Sequence, residues 1–193
     1  MKKTTWPPGN LLAPVPAVLV SCQGPEGPPN VLTVAWTGTV CSEPPMLSIS
    51  LQRQRHSYEL IKETGEFVVN LPPERLAFVT DFCGVVSGRT TDKFAALRLT
   101  PLAASAVKPP LIGECPVNLE CRVEKILPLG SHDLLLARIV AVDVDEDLVT
   151  PAGRLNLSKA HLLAYVHGEY WSLKKPLGRF GFSVRKRRRG CRK

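Results

Sequence analysis

Hydrophobic and polar positions along the chain alternate in short runs separated by Pro- and Gly-rich breaks, which is the signature of a mostly β protein. Residues 15–23 and 30–36, rich in Val and Leu, predict two extended segments joined by the turn Gly24-Pro25-Glu26-Gly27-Pro28-Pro29. After Glu43-Pro44-Pro45, Leu47, Ile49 and Leu51 alternate with Ser48 and Ser50, as a strand with one buried face requires. A helix is predicted over Ser57 to Thr64, with Ser57 capping its start and Gly65 closing its end in a left-handed conformation. Glu66 to Leu71 returns to strand. Pro72 and Pro73 suit the first turn of a second helix carrying Leu76, Val79 and Phe82 on one face. The polar loop Ser87 to Lys93 leads into a short helical piece through Leu97.

Two long strands follow, Val117 to Ile126 with Leu119, Cys121 and Val123 on one side, and Leu134 to Val144 as its antiparallel partner beyond Pro128-Leu129-Gly130. Ser158 to Val166 reads as a late helix, with Tyr170 and Trp171 just beyond it. Strands first, short helices in the middle and long strands again argue against a doubly wound α/β fold, which needs regular alternation of strand and helix. They favour a mainly β fold, a β-barrel with peripheral helices.

With 193 residues the chain fits one domain, 1–184, followed by a basic C-terminal tail, 185–193. The net charge of +8 is local to that tail. Arg185 to Arg189, Arg192 and Lys193 supply seven of the 25 basic residues and leave 18 against 17 acids elsewhere. A solvated tail is the ordinary reading of such a run, and contact with nucleic acid or an acidic partner is its rival. No apolar run approaches the ~20 residues of a membrane span, so a cytoplasmic protein is expected. Lys2 and Lys3 ahead of Leu19-Val20-Ser21-Cys22 have the form of a lipoprotein cleavage site, but Pro7, Pro8, Gly9, Pro14 and Pro16 break the helical stretch it needs. The six cysteines lack metal-binding spacing and read as reduced thiols. His56, His132, His161 and His167 stand singly and read as structural or surface residues. Asp143, Asp145, Glu146 and Asp147 lack the glycine and terminal glutamate of a calcium loop, so no metal is expected. Nor is there a GxGxxG, Walker, HExxH or GxSxG motif. The remaining polar and basic groups at strand ends suit an organic cofactor with its own reactivity.

Asn30-Val31-Leu32-Thr33-Val34-Ala35-Trp36 with Cys41 to Ser50 resembles the opening of the flavin-reductase-like, FMN-binding split-barrel family, most closely its flavoredoxin branch. The likeness continues through His56 to Ile61, Thr64 to Pro72, Ser87-Gly88-Arg89 with Asp92-Lys93-Phe94, and Gly168 to Trp171 with Leu177 to Phe180, covering about residues 12–182. What the resemblance implies is non-covalent FMN on a homodimer, with the chemistry on the flavin and no catalytic side chain required. Asn30, Thr33, Val34, Ala35 and Trp36 would border the ring and ribityl chain, with Ser50, Leu51 and Gln52 from the neighbouring strand. Arg53, Arg55, Ser57 and Lys93 would hold the phosphate, with Tyr58 beside them at the start of a helix whose free N–H groups favour an anion. Each has an ordinary alternative: Trp36 as a core aromatic, Arg53 and Arg55 as solvated charges, Lys93 as a partner of Asp92. Tyr170 and Trp171 read as packing the barrel or the dimer contact.

Three functions remain open on the sequence. A reductase would take electrons from NADH or NADPH through FMN to a flavin or another acceptor. A flavoredoxin-type carrier would exchange electrons with a redox-protein donor and use nicotinamide poorly. A nucleic-acid-binding barrel with a basic arm is the weakest of the three, because the body is close to neutral and only 6% of residues are aromatic.

Overall fold

A computed structural model describes residues 1–184; the basic run 185–193 lies outside the described residues. Seven antiparallel strands form the main sheet. They are β2 (Val18–Cys22), β3 (Asn30–Val34), β4 (Thr37–Cys41), β5 (Met46–Leu51), β6 (Glu66–Leu71), β9 (Val117–Pro128) and β10 (Asp133–Val144), in the order β3-β2-β6-β9-β10-β5-β4, while the short β7 (Pro101–Leu102) and β8 (Leu111–Ile112) pair with each other outside it. The two edge strands, β3 and β4, are neighbours in sequence, joined only by Ala35 and Trp36. The sheet therefore curls until its edges nearly meet, and a split is left between β3 and β5. Two register shifts in the β9–β10 ladder, at Leu136/Ala137 and Ile139/Ala141, help it bend. The result is the mainly β fold with peripheral helices expected above, its barrel open along the split.

Alternation decides which side chains fill the barrel. Leu32 and Val34 of β3, Leu47, Ile49 and Leu51 of β5, Phe67 and Val69 of β6 and Cys121 of β9 point inward to one core. α1 (His56–Thr64) plugs one end of it with Tyr58 and Ile61. Gly65 ends this helix at φ 71°, as expected, and its N–H bonds to Ile61 O. The N-cap, however, is Arg55, which supplies no side-chain cap, and Ser57 lies inside the first turn. On the outer face, α2 (Ala77–Val85) and α3 (Lys93–Leu97) cover β2 and β3 through Val31, Leu76, Cys83, Phe94 and Ile112. Val79 joins this face, but Phe82 turns aside to pack on the exposed ring of Phe78.

The late helix expected over Ser158 to Val166 does not form. One 3-10 turn, Leu157–Lys159, is followed by a hairpin of β11 (Leu163–Val166) and β12 (Glu169–Ser172). Its turn is His167-Gly168, with φ of 45° and 97°, the left-handed pair that a two-residue hairpin needs. β1 (Val15–Pro16) adds to this hairpin as a third strand, and Tyr170 packs edge-on against Tyr165. Burial first, and then the carboxylate of Asp81 on α2, push the Tyr170 hydroxyl up to about 12.

The cysteines described are free, and Cys22, Cys83, Cys115 and Cys121 are buried. Cys22 ends β2 with no surface exposed, and burial pushes its thiol up to about 12. It is a core residue. No described helix is long and apolar enough to cross a membrane.

Candidate functional site

β3 is an edge strand, so half of its main-chain groups have no neighbouring strand to bond. The Val31 carbonyl accepts from Lys93 rather than from β2, and by the alternation of an antiparallel pair the main-chain groups of Thr33 also turn away from that ladder. Two cavities open along this side of β3. The first, of about 150 Å³, lies in the split and is lined by Leu32, Thr33, Val34, Ala35 and Trp36 on one side and Ser50, Leu51 and Gln52 on the other, with Arg55 and His132 at its rim. Trp36 links the two walls, since its carbonyl accepts the Ser50 N–H at 2.8 Å.

The second cavity, of about 320 Å³, begins where the first ends and shares Leu32, Gln52 and Arg55 with it. Asn30, Gln54, His56, Ser57, Val86, Ser87, Gly88 and Lys93 complete its walls. The two form one cleft, with Arg55 at the junction. Residues Arg55, His56 and Ser57 bring the N-terminus of α1 into this second part, and no side chain caps it. Its free N–H groups and positive dipole end face the cavity.

Two cations flank that helix end. Arg55 is fixed by its donation to Gly84 O at 3.0 Å. Lys93 keeps 2% of its surface exposed, and its ammonium donates to Val31 O at 2.8 Å and Cys83 O at 2.9 Å. Two of its three protons are thus committed, leaving one for a further acceptor. Burial pulls the lysine below its ordinary 10.5, Arg55 adds to the effect, and an anion in the cleft would act in the opposite sense.

Asn30 ties the parts together. Its Nδ2 donates to Ser57 Oγ at 2.8 Å, binding the start of β3 to the first turn of α1. Gly88 lies so close that a Cβ there would sit 2.5 Å from Asn30 Cγ and nearer still to Oδ1. Gly88→Ala is therefore expected to push Asn30 off Ser57. The loss should be about 1–3 kcal/mol of stability from overpacking, with weakened ligand binding in the second cavity. Thermal melts and a ligand titration of this variant check both effects.

Of the residues singled out from the sequence, Asn30, Thr33, Val34, Ala35, Trp36, Ser50, Leu51, Gln52, Arg55, Ser57 and Lys93 line this one cleft. Arg53 and Tyr58 do not. Arg53 pairs with Asp133 at 2.8 Å, and Tyr58 donates to the other oxygen of the same carboxylate at 2.6 Å. These two hydrogen bonds, Arg53 first, hold the Asp133 carboxyl below its ordinary 3.8. Lys93 is no partner of Asp92, whose carboxylate instead caps α3 by accepting the Ala95 N–H.

Leu32, His132, Gln54, His56, Val86, Ser87 and Gly88 are cleft residues that reasoning from the sequence did not select. For Gly88 the signal existed in Ser87-Gly88-Arg89. His132 reads in the sequence as one more lone histidine, and only the pairing of Asp133 with Leu51 carries it to the split. Ser131 Oγ lies 2.9 Å from its Nδ1 and holds the ring in place.

Comparison with known proteins gives consistent results. A family model described as "Flavin reductase like domain" matches residues 12–174. The flavoredoxin of Desulfovibrio vulgaris (Miyazaki F) superposes with a TM-score of 0.89 at 28% identity, covering 95% of this chain and 100% of that one. An uncharacterized protein of Archaeoglobus fulgidus is 39% identical over 114 residues, covering 59% of this chain and 64% of its own. "Flavin reductase (NADH)" of Kitasatospora aureofaciens is 28% identical over 135 residues, covering 66% of this chain and 65% of its own. The chain thus spans just under two thirds of the length of each of these two relatives.

Proposed function

The chain belongs to the flavin reductase-like family, and from that premise we propose that it binds FMN non-covalently and is an NAD(P)H-dependent flavin oxidoreductase. One observation carries the reading: the split beside β3 adjoins, through Leu32, Gln52 and Arg55, a cavity bordered by the N-terminus of α1, Arg55 and Lys93. A flavin mononucleotide asks for main-chain donors at its ring edge, apolar cover for its faces and cations for its phosphate. The unpaired edge of β3, Trp36 with Leu51, and the Arg55–Lys93 end meet these needs in that order. Bound FMN would supply the redox chemistry, taking two electrons from a reduced nicotinamide and passing them to a second flavin or another acceptor.

The chain's own part is placement. Main-chain N–H groups of β3 favour negative charge at the ring edge, and Arg55 fixes the ligand where its two parts meet. His132, with Ser131 Oγ beside its Nδ1, lines the ring cavity and offers a donor or acceptor to whatever docks there. We assign the binding unit to residues 1–184 and place it in the cytoplasm as a homodimer. The exposed aromatic surfaces of Phe78 and Trp171 support a second copy, which sedimentation velocity would detect.

A carrier that exchanges electrons with other proteins is favoured by one observation, the TM-score of 0.89 to a flavoredoxin. Stopped-flow mixing of the yellow protein with NADH and with NADPH separates the two. Fast bleaching near 450 nm is the expected result. Bleaching only by a protein donor would establish the carrier instead, and a colourless protein that takes up no flavin would overturn both.

A further inference from the structure

Positive charge and exposed apolar surface are both concentrated in one part of the chain that the cleft does not use. All 17 acids and fifteen of the 25 basic residues precede Leu173, so the body up to that point carries a net −2. Residues 174–193 hold the other ten cations, with the densest run at Arg185 to Arg189, and no acid at all. A segment at +10 beside a body of the opposite sign is drawn to an anionic surface that the body itself would avoid.

The described part of this segment, 173–184, is apolar as well as basic. It leaves the sheet where β12 ends at Ser172 and closes one turn, in which the Phe182 N–H donates to Arg179 O at 2.9 Å. Gly178 lets the ring of Phe182 fold back on the chain, because a Cβ there would sit 2.7 Å from Phe182 Cδ1. This turn leaves Leu177 97% and Phe180 107% exposed, with Leu173, Phe182 and Val184 exposed beside them. Five large apolar side chains in one short stretch, none of them in a buried cluster of the described residues, exceed the scattered exposure of an ordinary surface.

The occupant must satisfy both features at once. A second copy would cover the apolar side chains but offer the ten cations a body of only −2, and a nucleic acid would pair the cations but leave Leu173, Leu177 and Val184 in water. An anionic lipid surface serves both, since headgroup phosphates meet the cations while aromatic and aliphatic side chains enter the acyl boundary beneath them.

We propose that residues 173–193 dock this protein peripherally on membranes rich in anionic phospholipid, with Leu177 and Phe180 inserted and the basic run held at the headgroups. This docking is independent of the flavin-binding reading, and its residues line neither cavity beside β3. The two signals act together. Cations gather the protein at the surface, and the apolar side chains hold it there when salt screens the charge.

Co-sedimentation of the full chain with lipid vesicles tests it. Phosphatidylcholine vesicles containing about 30% phosphatidylglycerol should carry the protein down at about 0.1 M salt, and vesicles of phosphatidylcholine alone should not. Arg185→Gln, Lys186→Gln, Arg187→Gln, Arg188→Gln and Arg189→Gln combined should weaken binding at least about 100-fold. Leu177→Ser with Phe180→Ser should weaken it about tenfold and leave its salt dependence in place. Both variants change exposed or chain-end positions and should melt as the parent does, which separates a lost membrane contact from a lost fold. Equal recovery with the two kinds of vesicle, or binding that survives the loss of five cations, would overturn the proposal. Binding untouched by the serine pair would overturn it as well, because nothing is then inserted. Release from the vesicles by an equimolar polyuridylate strand would assign the segment to nucleic acid, and a lower sedimentation coefficient of the serine pair without lipid would assign it to self-association; the proposal fails on either result.

Discussion

Arg55→Ala should lower flavin affinity about 100-fold, close to 2.7 kcal/mol, while Arg53→Ala, two positions earlier, should change it by less than about twofold. Arg55 stands where the two parts of the cleft meet, beside an uncapped helix end and 3.0 Å from the Gly84 carbonyl that aims it. Removing it takes a charge-assisted contact from the ligand, and the helix N-terminus and Lys93 alone must then hold the anion. Arg53 is turned to Asp133 and lines neither cavity. Fluorescence titration of the two variants with FMN, beside thermal melts to confirm folding, gives the comparison. Equal losses for both arginines would mean that the phosphate lies elsewhere.

The contrast between these arginines also marks the limit of what the sequence discloses. Arg53 and Arg55 would share a side if the strand continued past Leu51. The chain turns instead, with the Arg55 N–H bonding back to Gln52 O, and the two side chains part company. Nothing in the string Leu51-Gln52-Arg53-Gln54-Arg55 announces that turn, since it holds no Gly or Pro. The β5 strand itself was legible because Leu47, Ile49 and Leu51 obey the period of two, and the long β9–β10 pair for the same reason. β4 was not. Thr37 to Cys41 stays largely exposed on both faces, so no apolar alternation reports it. The hairpin of β11 and β12 was misread because Leu162, Leu163 and Val166 fall at helical spacing, and only His167-Gly168 betrays the turn. Most of the cleft, Asn30 to Trp36 and Ser50 to Gln52, comes from continuous segments and could be found by resemblance. His132 could not, because it reaches the split through a strand pairing eighty positions away.

The largest effect on stability is expected far from the cleft, at Glu120. This side chain on β9 is fully buried, and its two oxygens accept from Ser105 N at 2.7 Å, Ser105 Oγ at 2.7 Å, Ala106 N at 2.6 Å and Val107 N at 2.9 Å. One carboxylate thereby fastens the loop that carries Val107 onto Val68 and Leu111. Burial alone would push its carboxyl up, but the hydrogen bonds from Ser105, Ala106 and Val107 outweigh burial and hold it below its ordinary 4.5. Glu120→Ala strands four donors and should cost about 4 kcal/mol, a fall in melting temperature of about 10 °C for a chain of this size. Because the folded carboxyl lies below its unfolded value, this stabilisation is complete above about pH 4.5 and is lost as the pH falls through the folded value. Asp143 on β10 has the opposite sign. Burial first, then the charge of Glu120, push it above its ordinary 3.8, and its Oδ2 is buried without a partner. Its penalty grows as the pH rises from its ordinary value through the raised one, and vanishes in acid. Asp143→Asn replaces that charge with an amide able to donate to Glu120, so it should raise the melting temperature at pH 7 by a few degrees and leave the acid-side loss in place. Melting curves of both variants across pH 3 to 8 separate the two signs. An Asp143→Asn protein that melts lower at pH 7 would show that the carboxylate makes a favourable contact and that the Glu120–Asp143 repulsion is not what limits stability there.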